Sequence, residues 1–110
     1  MGNVLTDADV DGVLAAASAG LDTLRNLFLP DRWDRLFSFD GGLAGRDHPG
    51  RVEILFTAVE QKHEEALLAK LLEGLAGAGY RGVVQDVPEL PPGTHSILVS
   101  RADGSDTNGS

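Results

Sequence analysis

Apolar residues recur at spacings of three and four from Val10 through Leu14, Ala17, Leu21 and Leu24 to Phe28, which predicts an amphipathic helix of about five turns. Its start is signalled on three counts. Thr6 is a capping residue, Asp9 stands three positions later as the reciprocal partner, and Leu5 and Val10 occupy the two staple positions. Pro30 is expected to stop it. A second stripe, Gly12, Ala16, Ala19 and Gly20, carries almost no side-chain volume, so another element can approach the backbone closely there.

The pattern then shortens. Asp31 to Leu36, with Trp33 and Leu36, reads either as a short helix or as a turn into a strand. Phe37 and Phe39 alternate with Ser38 ahead of Asp40-Gly41-Gly42, which predicts a short strand running into a flexible connection that lasts to Gly50. From Arg51 to Val59 the period is two, with Val52, Ile54, Phe56 and Ala58 on one face. Helical spacing returns in Leu68, Leu71, Leu72 and Leu75. Glu60, Glu64 and Glu65 precede it where a helix dipole favours anions, Thr57 and Glu60 offer a second capping pattern, and Gly77 and Gly79 supply an exit. Arg81 to Val87 and Thr94 to Arg101 read as two strands joined by a proline-rich bend, a hairpin-like pair. The predicted order is α-(β)-β-α-β-β. The expected fold class is α+β: a two-layer sandwich with two main helices on one face of a small antiparallel or mixed sheet. Residues 1–101 are expected to form a single domain. Residues 102–110 lack apolar side chains that could offset the entropy of ordering them, and composition predicts a disordered acidic and polar tail.

Charge narrows the partners. The formal net charge is −8, and the basic residues, seven Arg and two Lys, are scattered singly. Such a field repels nucleic-acid phosphates and anionic lipid, so direct binding to nucleic acid or membrane is not expected, whereas a basic protein partner is compatible. The absence of cysteine excludes disulfides and thiolate ligands. No stretch approaches a membrane span and the first residues do not resemble a secretory leader, which leads to an expectation of a cytoplasmic protein. The Arg-rich, Lys-poor composition suggests a bacterial or phage source.

Candidate chemistry is sparse. Asp7, Asp9, Asp11 and Gly12 imitate the first half of a calcium-binding loop, but its twelfth position is Ser18 instead of a bidentate glutamate, and the acids are explained as first-turn residues. His63-Glu64-Glu65 lacks the second histidine of a zinc helix, since Leu67 stands there. The glycines from Gly41 to Gly50 enclose Arg46 and His48 but match neither phosphate-loop spacing. His95 lies between Thr94 and Ser96, and strand neighbours point to opposite faces. A nucleophile–base pair is therefore not expected, and a partly buried, hydrogen-bonded histidine is. Pro88-Glu89-Leu90-Pro91 satisfies a polyproline pattern and reads as a loop.

No catalytic residue, metal ligand or cofactor is assigned. Pocket candidates are Arg46, His48, His63 and His95; candidates for an interaction surface are Gly12, Ala16, Ala19, Gly20 and Trp33. The expected function is a non-catalytic interaction or assembly subunit, adaptor-like or chaperone-like, whose partner is another protein or a second copy in a homo-oligomer. The alternatives are a small enzyme or ligand- or metal-binding domain built on the Gly41–Gly50 loop and the histidines, and an acidic inhibitor protein.

Overall fold

The computed structural model describes residues 4–45 and 49–102. It is an α+β sandwich: helices packed on one face of a four-stranded, fully antiparallel sheet. The elements are α1 (Asp7–Asp22), a single 3-10 turn (Arg25–Leu27), α2 (Pro30–Leu36), β1 (Phe37–Leu43), β2 (Val52–Ala58), α3 (Gln61–Gly77), β3 (Tyr80–Gln85) and β4 (Thr94–Arg101). Strand order is β1-β2-β4-β3. β2 and β3 therefore run parallel with β4 inserted between them, a connection that requires a crossover, and α3 supplies it.

α1 begins as its sequence signals predict. The Thr6 backbone N–H and hydroxyl both donate to Asp9 Oδ2, at 2.8 and 3.2 Å. Leu5 is buried, and its N–H donates to the Gly50 carbonyl, which ties the helix start to the approach of β2. The helix ends sooner than expected. Asp22 and Thr23 are weak helix formers, and the Thr23 hydroxyl donates to the Gly20 carbonyl at 2.7 Å, satisfying it from outside the ladder. Leu24 to Phe28 continue as the 3-10 turn. Pro30 opens a helix instead of merely ending one: it is the first residue of α2, where its missing N–H costs nothing.

The buried face of α1 is also rotated from the expected stripe. Val13, Ala16, Ala17, Gly20 and Leu21 are buried, while Val10, Leu14, Leu24 and Phe28 only flank the core. The cause is α3. A Cβ built on Gly20 would lie 2.1 Å from the Lys70 carbonyl oxygen, and one on Gly74 would lie 2.3 Å from that of Ala16. The helices thus meet backbone to backbone along the small-residue stripe, and Val10 and Leu14 of α1 are displaced to the flanks.

β1 extends through both glycines to Leu43 instead of dissolving at Asp40. A Cβ on Gly41 would approach Leu14 Cδ2 to 2.9 Å, so the glycine lets α1 lie close over this strand. In β2 the alternation is as expected, with Val52, Ile54, Phe56 and Ala58 buried. In α3, Leu67 joins Leu71 and Leu75 as the buried ridge, and Leu68 and Leu72 flank it. Glu60 caps α3 by position, but the Thr57 hydroxyl is committed across the sheet to Thr94, 3.0 Å away, so the second capping pattern does not form. β3 and β4 form the expected hairpin. β3 starts at Tyr80 and stops at Gln85, two residues short of Val87. Ala102, assigned to the tail by composition, is held by its N–H to the Gly79 carbonyl; residues 103–110 lie outside the described set. Among the described residues no helix is long and apolar enough to cross a membrane.

Candidate functional site

Register divides the side chains of the sheet between two faces. Phe39, Phe56 and His95 share the helix-covered face at one level, and Ile54, Ile97 and Val84 share it at another. The opposite face has no second layer among the described residues. It presents Ser96 and Leu98 of β4 at its centre, Glu53 and Leu55 of β2 beside them, and Arg81, Val83 and Gln85 of β3 at the rim.

Ser96 is 1% exposed although it faces away from the helices. Its hydroxyl lies 2.5 Å from Glu53 Oε2 and 3.0 Å from Gln85 Oε1. The single proton goes to the carboxylate, which is both closer and charged. The hydrogen bond joins β4 to β2, and Gln85 brings β3 within contact of the same hydroxyl. Around it Leu55 and Val83 remain about half exposed, at 44% and 50%.

β3 is the outer strand on this side. Its sequence, Tyr-Arg-Gly-Val-Val-Gln, contains no proline, lysine or carboxylate and a single charge, Arg81, and Val83 and Val84 are exposed on opposite faces of it. Edge strands are ordinarily blunted by charge, proline or a bulge. The other edge, β1, carries the charged Asp40 followed by two glycines, and the Gly41 N–H is already bonded to Asp40 Oδ1 at 2.9 Å.

The histidines gather at the start of α3. His95 Nε2 is hydrogen-bonded to Glu64 Oε2, bridging β4 to α3, with both side chains about one-quarter exposed. The pair lines a shallow depression with Gln61, Glu65 and Leu68. His63 Nε2 is 3.3 Å from Glu60 Oε1, and its ring packs edge-on against Phe28, so it is half-buried. Arg32 reaches the other oxygen of Glu60 at 3.5 Å. A His–carboxylate pair can hold and exchange a proton, but Thr94 and Ser96 point to the far face as the alternation predicts, leaving His95 no neighbouring hydroxyl to activate. Among the described residues no three His, Cys, Asp or Glu side chains are grouped to hold a metal ion. Arg46 and His48 lie outside the described residues.

Of the predicted surface residues, Ala16 and Gly20 are consumed by α3. Trp33 is buried, packing 5.9 Å from Phe28 and 5.1 Å from Phe37 between ring centroids. Gly12 sits against the Tyr80 hydroxyl and Ala19 is exposed. Ala16, Gly20 and Trp33 thus serve contacts within the chain, and Gly12 and Ala19 remain exposed. The Asp9 carboxyl, suggested by its motif as a calcium ligand, accepts the Thr6 bonds and is 3.2 Å from Arg101 Nη2. The Thr6 N–H holds its pKa below the ordinary aspartate value; partial burial opposes this, and the Thr6 hydroxyl and Arg101 assist it.

Compared with protein-family models, with curated proteins and with solved structures, the chain finds no match in any of the three.

Proposed function

We propose that this chain is an assembly subunit without catalytic activity of its own, and that it joins a second copy of itself edge to edge through β3. The observation that carries the reading is the sparsely protected β3 edge, six regular residues with valines exposed on both faces, one charge, Arg81, and no carboxylate. The strand is matched to itself. A two-fold antiparallel register centred on Val83 sets Val83 against its own copy and Arg81 against the second copy's Gln85 on the open face, with no like charges opposed. A basic partner finds no acidic row on β3 to recognise, which favours self-pairing over docking of an unrelated basic protein.

Self-association must overcome the repulsion of two chains each at −8, so it strengthens as salt rises. Binding to a basic protein would weaken instead. Sedimentation equilibrium across micromolar concentrations at low and high salt is expected to show a monomer–dimer equilibrium shifted toward dimer by salt. Val83→Lys is expected to abolish the dimer without changing the melting temperature of the monomer, whereas Leu43→Lys on the β1 edge leaves association intact. A wild-type chain that stays monomeric at high salt and several hundred micromolar overturns the proposal.

A further inference from the structure

At one end of the open face the acidic character of the molecule is reversed. Arg51 stands immediately before Val52, which pairs with Val99, and continuation of that register sets Arg51 beside Ser100. Arg81 pairs with Ser100 from the other side. The row Arg51, Ser100, Arg81 therefore crosses β2, β4 and β3 on the face away from the helices. Two adjoining depressions share these three residues: one extends over Leu98 and Val83 to Asp86, the other toward Val4 and Pro49. Neither guanidinium has an ion pair among the described residues, which holds also for Arg25, Arg35 and Lys62, whereas Arg32, Lys70 and Arg101 each have a carboxylate partner. Among the described residues Asp86 is the one carboxylate lining either depression, and it lies at the far end of the first.

Two like charges about 10 Å apart at the backbone, two strand spacings, repel each other unless something negative sits between them. The chain has 17 acidic residues from which to supply a counter-charge, yet none of those described pairs with either arginine. Arginine side chains flanking a serine hydroxyl provide planar donors from two sides and a further donor from below, a geometry suited to a tetrahedral or planar oxyanion. We propose that Arg51, Ser100 and Arg81 form a binding site for a small dianionic oxyanion, a phosphoryl group or a dicarboxylate. This site is complete within one chain, and it shares Arg81 with the β3 edge through which the second copy is proposed to pair.

Calorimetric titration and thermal shift at constant ionic strength test it, with inorganic phosphate and succinate as probes and chloride as the control. Phosphate or succinate is expected to raise the melting temperature above the chloride value, and whichever acts at lower concentration identifies the headgroup. Arg51→Gln and Arg81→Gln are each expected to weaken binding about tenfold, the loss of a charge-assisted contact, and together to abolish it. Arg25→Gln, which removes another exposed arginine away from both depressions, is expected to leave binding unchanged. A shift no larger than that of chloride, or one that survives in the double variant, overturns the assignment.

Discussion

Replacing Gly20 by alanine tests the packing on which the helix layer rests. The added methyl would meet the Lys70 carbonyl oxygen at 2.1 Å and Gly74 Cα at 2.7 Å, where ordinary contact begins at 3.4 Å. These are main-chain atoms of a helix, so no rotamer change relieves the overlap. α1 and α3 must separate by more than about 1 Å, a gap that forfeits a quarter to a half of each dispersion contact across the seam. The seam includes Ala17, Leu21, Leu67 and Leu71, all essentially fully buried. Overpacking of this kind costs about 1–3 kcal/mol, and rigid backbone on both sides puts Gly20 at the upper end. Alanine's better helix propensity returns about 1 kcal/mol. The expected net loss is therefore about 2 kcal/mol, or a fall in melting temperature of about 10 °C for a domain of this size. Urea unfolding followed by circular dichroism measures it. Gly74→Ala should behave alike, and the double variant should lose less than the sum because the first methyl has already parted the helices. Gly77→Ala, at the open end of α3, is the control: an added Cβ there would meet nothing within 4 Å, so the change should be neutral or slightly stabilising. A Gly20→Ala protein as stable as the wild type would refute backbone contact between the helices.

Two further outcomes follow from the polar contacts. Ser96→Ala removes the hydroxyl at the centre of the open face and leaves the Glu53 carboxylate one partner short, which should cost about 1–2 kcal/mol in urea unfolding; an unchanged midpoint would show that water replaces the hydroxyl fully. Asp9 has a lowered pKa in the folded chain, so its contribution is complete above the ordinary aspartate pKa and is lost as pH falls through the folded value. The melting-temperature gap between wild type and Asp9→Asn should therefore be constant near neutrality and close below about pH 4; a gap that persists at about pH 2 would contradict the Thr6–Asp9 arrangement.

Much of the fold was readable from periodicity, and the exceptions have identifiable causes. β2 follows from its strict alternation, and β4 from a short apolar run, Ile97 to Val99, that is buried together with Ser96. The face of α1 was misplaced because hydrophobic spacing weighs side chains by size, whereas Gly20 and Ala16 are buried for being small. Apolar spacing overstates its length because Leu24 and Phe28 keep the period into a 3-10 turn and mask the break at Thr23. β1 was cut short because glycine weakens a strand in isolation, while here Gly41 is needed for the approach of Leu14. The site was less accessible. His95 and Glu64 are 31 positions apart, and no local pattern announces their bond. Arg51 and Arg81 look like two scattered charges until the register of β4 sets them on either side of Ser100. Once β4 is recognised as the central strand, the alternation around Arg51 and Arg81 would have been signal enough.

The position of β4 also governs when the molecule can assemble. β2 must wait with one side open until residues 94–101 have left the ribosome, because the strand that fills the gap is the one of the four made last. Cotranslational folding can therefore produce the β1–β2 hairpin and the helices, but not a closed sheet. Any ribosome stalled before Val99 displays a bare strand whose inner side carries Val52, Ile54 and Phe56, the species most in need of a chaperone.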